Sequence, residues 1–390
     1  LSLIATTAPA TFLTTLPPLA VYVHIPWCVR KCPYCDFNSH TSDSGLPEED
    51  YIDALIADLD QDMAGVQQRE VASIFFGGGT PSLFSARSLG RLLDAMEQRL
   101  RFAADAEITL EANPGTFEQE KFAEYRRAGI NRLSIGIQSF NPAHLKALGR
   151  IHGDREALGA VDMARRAGFD NLNLDLMHGL PGQTLEQALA DINQGIELGP
   201  EHLSWYQLTL EPNTVFYSRP PKLPEDEILW DIQEAGQARL AEAAYVQYEV
   251  SAYARAGRQA RHNLNYWQYG DFLGIGAGAH GKITHPNGQI ERYWKTRLPK
   301  DYLDPAKPYC SGRKTLGAQD LPFDFLMNGL RLVDGVPTAL YESRTGRSVN
   351  EIAALLQQAT HRGLLESWQT QLRPTERGRL FLNDLLEIFL

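Results

Sequence analysis

Tyr-Val-His-Ile-Pro-Trp-Cys-Val-Arg-Lys-Cys-Pro-Tyr-Cys-Asp-Phe-Asn, residues 22–38, carries three of the four cysteines in the chain: Cys28, Cys32 and Cys35. The spacing is C-x3-C-x2-C. Thiolates this close must point inward from one tight loop, and soft sulfur ligands there suit zinc, copper or an iron–sulfur cluster. A structural zinc site closes with four ligands. Here there are three, and Phe37 stands where a fourth cysteine could sit. Three thiolates on a four-iron cluster leave one iron open to bind something else. An odd trio with one distant partner, Cys310, makes a poor disulfide framework, so the cluster outranks it.

Outward from this loop, short apolar runs alternate with helical patterns. The loop follows the first run, Leu19–Ile25. Ile52, Leu55, Ile56, Leu59 and Met63 then share one helical face. Residues 71–76 read as the second strand. Ser85 caps a helix with Leu89, Leu92, Leu93, Met96 and Leu100 at helical spacing. Further strands fall at 107–111, 132–137, 172–176 and 202–208. The intervening helices open at the capping boxes Thr116-x-x-Gln119 and Thr184-x-x-Gln187, at Asn141-Pro142 and at Asp154. Six strand–helix units with largely apolar strands imply a parallel sheet covered by helices; the periodicity leaves barrel and open sheet both standing. Past residue 210 the alternation stops. A helix over 225–244, a glycine run at 274–278 and a linker at 299–308 follow. From 321 onward come three short helices with a strand pair near 364–372, an order that suits a small winged-helix-like domain.

Of the 390 residues 43% are hydrophobic and 22% charged, the balance of an ordinary globular chain. A formal net charge of −11 argues against a nucleic-acid partner, which would need a basic face. No run approaches the ~18 apolar residues of a membrane helix. Clustered cysteines point to a reducing compartment. Residues 1–29 contain no Lys, Arg, Asp or Glu, so neither a secretory nor a transit signal fits, and Pro9, Pro17 and Pro18 break the apolar pattern. Residues 1–18 read as an irregular leader.

In parallel α/β folds chemistry gathers at the carboxyl ends of the strands. The cysteine loop follows the first strand, and Gly77-Gly78-Gly79-Thr80-Pro81 follows the second. Glu111 ends the third strand, the fourth runs into Gln138, the fifth carries Asp175, and Arg150 lies after the fourth. Polar residues at so many strand ends are hard to explain as packing. The cysteine loop resembles that of radical S-adenosylmethionine (SAM) enzymes, in which the open iron chelates the amino and carboxylate groups of SAM and an electron from the cluster releases a 5′-deoxyadenosyl radical. The resemblance implies an α/β fold: a partial (β/α)6 TIM-like radical SAM barrel with a small C-terminal winged-helix-like, mainly helical domain. It also implies a 4Fe-4S cluster on Cys28, Cys32 and Cys35. In the coproporphyrinogen-oxidase-like group, Tyr22, Gly78, Gly79, Thr80, Glu111, Gln138, Arg150 and Asp175 fall on motif positions that contact SAM. Carboxylates and glycine carbonyls suit the methionyl ammonium and ribose hydroxyls, and a guanidinium suits the methionyl carboxylate.

A second constellation is Arg261-His262-Asn263-Leu264-Asn265-Tyr266-Trp267. Its fit to H-N-x-x-Y-W resembles the signature of HemW, the haem-chaperone branch of that group, and implies haem binding by His262, Asn263, Tyr266 and Trp267. A neutral imidazole is a reasonable axial ligand; His280 and His285 are rivals, and Arg255, Arg258 and Arg261 could meet the propionates. The implied division is a leader at 1–18, a radical SAM core at 19–250, an extension at 251–300 that carries the His262 segment, and a helical domain at 309–390. The implied function is holding haem and delivering it to haem-dependent acceptor proteins, with an electron donor for the cluster. The setting is cytoplasmic, the resemblance allowing a homodimer and a peripheral position at the inner membrane. The alternative is oxygen-independent coproporphyrinogen III oxidation. Two departures count against it: that enzyme's loop reads C-x3-C-x2-C-x-C where this chain has Phe37, and its N-terminal extension is not recognisable in residues 1–18.

Overall fold

The computed structural model describes residues 15–41, 45–150 and 153–390, apart from the side chains of 116–119 and 154. Most of the expected leader, and the side chains of the Thr116 capping box, therefore lie outside the described residues. The end of the leader is anchored: the carbonyl of Pro17 accepts from Arg69 and that of Pro18 from the backbone of Asp271.

Strand β1 (Leu19–Ile25) is buried at six of its seven positions, because both faces of a parallel sheet are covered. It leads through the short pair β2 (Trp27–Cys28) and β3 (His40–Thr41) to α1 (Glu48–Asp62). The alternation then runs β4 (Glu70–Gly78), α2 (Ala86–Glu97), β5 (Arg101–Ala112), α3 (Thr116–Arg127) and β6 (Arg132–Gln138). It continues through α4 (Pro142–Ala147), α5 (Asp154–Arg166), β7 (Leu172–His178), α6 (Leu185–Glu197) and β8 (His202–Gln207). β1, β4, β5, β6, β7 and β8 lie side by side in that order, every pair parallel. These are the six expected strands. Thr184 caps α6 as expected, its hydroxyl accepting from the N–H of Gln187 while the Gln187 side chain accepts from the N–H of Thr184.

The rest of the sheet was less predictable. After α7 (Val215–Ser218) and α8 (Asp226–Glu242), β9 (Val246–Glu249) and β10 (Ala252–Ala254) add antiparallel strands outside β8. Helix α9 (Arg261–Trp267) then crosses to the opposite edge. There β11 (Asp271–Ile275) pairs parallel with β1. Outside it lie β12 (His280–Thr284), β13 (Ile290–Lys295) and, after α10 (Pro299–Tyr302), β14 (Cys310–Thr315), all antiparallel to their neighbours. The result is one sheet of 12 strands. Buried ion pairs fasten the extension: Asp271 binds Arg69 at 2.7 Å and Lys282 at 2.8 Å. The segment read as a linker is packed instead of free. Tyr302 is 1% exposed and its hydroxyl donates to Asp58 Oδ2 at 2.6 Å.

The C-terminal elements are α11 (Leu321–Gly329), β15 (Val336–Pro337), α12 (Thr338–Thr345), α13 (Ala353–His361), β16 (Gln371–Leu372), α14 (Glu376–Leu380) and α15 (Leu382–Leu386). They enclose a second apolar core around Phe325, Leu326, Tyr341, Leu356 and Leu385. The strand pair joins β16 to β15, some 35 positions upstream (Leu372 opposite Val336), and only the single bridge Leu365–Pro374 is local. Register with a distant strand leaves no mark in a local pattern.

Candidate functional site

The carboxyl ends of β1 and β4 are laced together. Gly79 N–H donates to Ile25 O at 2.8 Å and Thr80 N–H to Trp27 O at 2.7 Å, which sets the glycine loop against the root of the cysteine loop. Two glycines are required here. Gly78 has φ +114°, and a Cβ on it would lie 2.6 Å from the His24 ring; a Cβ on Gly79 would lie 2.5 Å from the Trp27 carbonyl oxygen. The far end of the cysteine loop is held by Asn38, whose amide donates to the carbonyls of Ala277 and Arg297.

Cys28, Cys32 and Cys35 are unpaired thiols on the wall of a cavity of about 880 Å³. Gly78, Gly79, Thr80, Glu111, Gln138, Arg150 and Asp175 line the same cavity. Seven of the eight expected SAM contacts thus meet the three cysteines. Tyr22 does not: it faces a smaller adjoining chamber, its hydroxyl hydrogen-bonded to His24 Nδ1 at 3.0 Å.

The electrostatics of the cavity ask for a cationic ligand. Burial, reinforced by the nearby Asp175 carboxylate, pushes the Glu111 carboxyl up to about 8, although Gly78 N–H donates to it at 3.1 Å. Burial also raises Asp175 despite donors from Asn173 and Ser134. Arg150 is the one cation expected here. It donates to Asn113 Oδ1 and Gly136 O, both at 2.7 Å, and lies 3.8 Å from Cys32 Sγ. Gln138 adopts φ +68°, a backbone conformation uncommon outside glycine, and its Oε1 accepts from the Tyr206 hydroxyl at 2.8 Å.

These residues fit a cluster. Burial pushes the Cys28 and Cys35 thiols up, so their thiolate forms call for a metal counter-charge. Among the described residues no three His, Cys, Asp or Glu side chains close on a single ion. Three soft donors spread over one cavity wall, with a guanidinium beside one of them, suit a polynuclear iron–sulfur group better than one zinc.

Helix α9 stands between the two spaces. Asn263 and Trp267 line the main cavity, while Tyr266 lines the smaller chamber of about 500 Å³. His262 lines neither. It is 1% exposed, stacks on Phe75 at 5.1 Å, and has both ring nitrogens engaged: Nδ1 with Ser73 Oγ at 3.0 Å and Nε2 with Tyr266 OH at 2.9 Å. Burial holds it neutral, down to about 3. In this arrangement both ring nitrogens of His262, the residue expected at haem, are thus engaged by protein partners. The arginines expected at propionates are also elsewhere. Arg261 pairs with Asp105, Arg255 packs on Tyr245, and neither they nor the exposed Arg258 lines either space. His285 lies at the far end of β12, whereas His280 lines the smaller chamber.

Some cavity residues escaped sequence reading. Asn113 follows Glu111 by two positions and donates to Thr80 Oγ1, so the Glu-Ala-Asn-Pro run at a strand end was an available signal. Tyr206 sits at the end of β8, the one strand whose polar end residues were overlooked. Arg331 had no such signal. It arrives from the C-terminal elements, packs over Trp267 at 4.4 Å and pairs with Glu249 at 3.1 Å.

The Radical SAM superfamily model matches residues 22–194, and the HemN C-terminal domain model matches residues 316–381. "Heme chaperone HemW" of Escherichia coli K12 is 53% identical over 97% of this chain and 100% of its own length. That of Haemophilus influenzae is 55% identical over 96% and 98%, and that of Bacillus subtilis 34% over 95% and 99%. The solved structure of coproporphyrinogen III oxidase (HemN) from Escherichia coli superposes with a TM-score of 0.81 at 24% identity, covering 97% of this chain and 92% of that one. That structural match confirms the fold, a radical SAM barrel followed by a HemN-type C-terminal domain. With an end-to-end likeness to named relatives above the cysteine-lined cavity, the chain belongs to the HemW family of the radical SAM superfamily.

Proposed function

We propose that this protein is a haem chaperone that holds haem and hands it to haem-dependent acceptor proteins, while its main cavity keeps a 4Fe-4S cluster and SAM. The observation that carries the reading is its identity, over nearly the full length, to relatives named as haem chaperones. Membership of the superfamily implies the cluster and SAM. Cys28, Cys32 and Cys35 would hold the cluster, which when bound supplies one-electron reduction beside an iron open to SAM. Glu111 and Asp175 would accept hydrogen bonds from the ammonium and ribose hydroxyls. The Gly78–Gly79 backbone lets the ligand approach closely, and Arg150 balances thiolate charge at Cys32.

Phe37, 57% exposed, supports chaperone over oxidase, since no thiol stands there. The test is anaerobic hemin titration of the cluster-loaded protein, then mixing with an apo-cytochrome of b type. The expected result is a saturable Soret change followed by transfer. Absence of saturable binding, or formation of protoporphyrinogen from coproporphyrinogen III with reductant and SAM, would overturn the reading.

A further inference from the structure

Behind the wall of the main cavity the strands carry buried polar residues where the core of a parallel sheet is ordinarily apolar: Arg132 and Ser134 on β6, Asn173 on β7 and His202 on β8. Asn173 lies directly opposite His202, and Asp175 opposite Ser204. Four hydrogen bonds join Asp175 to the start of α9, and chemistry fixes the donor in each. The Asn173 amide nitrogen donates to Asp175 Oδ1 and to Ser134 Oγ, both at 2.8 Å. Its oxygen must then accept, so the proton in the 2.6 Å contact with His202 sits on Nδ1. Burial, together with the charge of Arg132, keeps the imidazole neutral. Nε2 is therefore an acceptor, filled by the Tyr248 hydroxyl at 2.8 Å. The Tyr248 oxygen accepts in turn, at 3.3 Å, from the backbone N–H of Ala260, the residue at the N-cap of α9. Every donor points the same way, from α9 toward the Asp175 carboxylate.

Burial alone does not produce such a chain. His178, on the same strand as Asp175 and also 1% exposed, leaves Nδ1 without a partner among the described residues. His202 has both ring nitrogens filled, and through Asn173 its chain ends on a carboxylate that lines the cavity. Asn173, His202 and Tyr248 themselves stand behind that lining. Arg132 completes the arrangement. It is 2% exposed, lies 3.9 Å from Glu107, and its Nε and Nη2 meet no hydrogen-bond acceptor among the described residues. Its charge favours ionised Asp175 and opposes a charged His202. Hydrogen bonds aligned head to tail polarise one another, so each strengthens the next in a low-dielectric interior. The Asp175 oxygens accept from Asn173 and Ser134 and keep acceptor sites for a ligand.

We propose that His202 and Tyr248 are positioning residues of the SAM site: their chain fixes the Asn173 amide and, through it, the orientation of the Asp175 carboxylate toward the ligand. This rests on the reading of the main cavity as the SAM site, and it extends that site to residues that touch no ligand. Losing a middle link frees the Asn173 amide to turn its oxygen toward Asp175. Two acceptors then face each other, and the carboxylate swings out of line.

The experiment is SAM titration of the cluster-loaded full chain by calorimetry, with iron content and denaturation midpoint measured on every variant. Tyr248→Phe keeps the ring and removes one link; His202→Leu removes two. SAM affinity should fall about threefold in the first and about tenfold in the second. His202→Gln, which can donate to Asn173 and accept from Tyr248, should stay within about twofold of wild type. In an Asp175→Asn background, Tyr248→Phe should have no further effect on SAM, because the group it acts through is gone. A merely structural role would lower the denaturation midpoint alike in both backgrounds and leave SAM affinity alone. Unchanged SAM affinity in Tyr248→Phe, or an equal loss with and without the Asp175 carboxylate, overturns the assignment, and Tyr248→Phe decides it even where His202→Leu does not fold. A wild-type chain that binds no SAM overturns the reading of the cavity itself.

Discussion

The main cavity is walled by residues at the carboxyl ends of parallel strands, whereas the smaller chamber is walled by an antiparallel extension and one side of α9. The first holds thiols, two carboxyls with raised proton affinity and the arginines Arg30, Arg150 and Arg331. The second holds aromatic rings, an accessible imidazole and a rim arginine. The two share only the boundary around Phe37, Gly78 and Glu111.

The largest expected effect falls on the cluster side. Cys32→Ala should take bound iron from about four per chain to near zero, with loss of the brown chromophore; unchanged iron content would refute the ligand assignment. Next comes Glu111→Gln, which removes a charge-assisted acceptor and should weaken SAM binding by roughly 10- to 100-fold, measured by calorimetry. The same group sets a pH dependence. Its carboxyl is neutral below about 8 in the free protein, and a cationic ligand requires the carboxylate. SAM affinity should therefore rise with pH up to about 8, and the rise attributable to this group should vanish in Glu111→Gln. Without ligand the sign for stability is opposite. The native state holds this proton above the ordinary carboxyl value of 4.5, so its contribution falls as pH rises from there through about 8.

On the α9 side, His262→Asn should destabilise the fold by about 1–3 kcal/mol by leaving buried Ser73 or Tyr266 without a partner, seen as a lower denaturation midpoint. His262 is held neutral, so its contribution is present above pH 6.5 and is lost as pH falls toward about 3. Equal stability of the variant would mean that the two hydrogen bonds contribute nothing. The smallest effect belongs to Arg261→Ala, an exposed pairing with Asp105. Hemin titration should be unchanged; a weaker curve would return the propionates to that region.

The contrast also explains what could be read in advance. Cys28, Cys32, Cys35 and the strand-end residues lie within local patterns, since each parallel strand must be apolar and must end where the ligand sits. The six strands followed from that, and seven of the eight residues expected at SAM line one cavity with the cysteines. The chamber depends on β11 returning to pair with β1 across about 250 positions (Val21 opposite Leu273) and on hairpin register that sets His280 against Trp294. Nothing local encodes those pairings. The surroundings of His262 were hidden for a related reason: its motif marks it as special, but only the fold shows Ser73 and Tyr266 at its two ring nitrogens. Arg331 and Tyr302 entered their sites from segments that read as a separate domain and a linker.

The most direct test of two separate sites is simultaneous occupancy. Cluster-loaded protein is saturated with hemin and then titrated with SAM under anaerobic conditions. SAM should bind with the affinity seen without hemin, one equivalent of each, and no loss of the haem Soret band. Mutual displacement, with SAM releasing hemin as it binds, would contradict it.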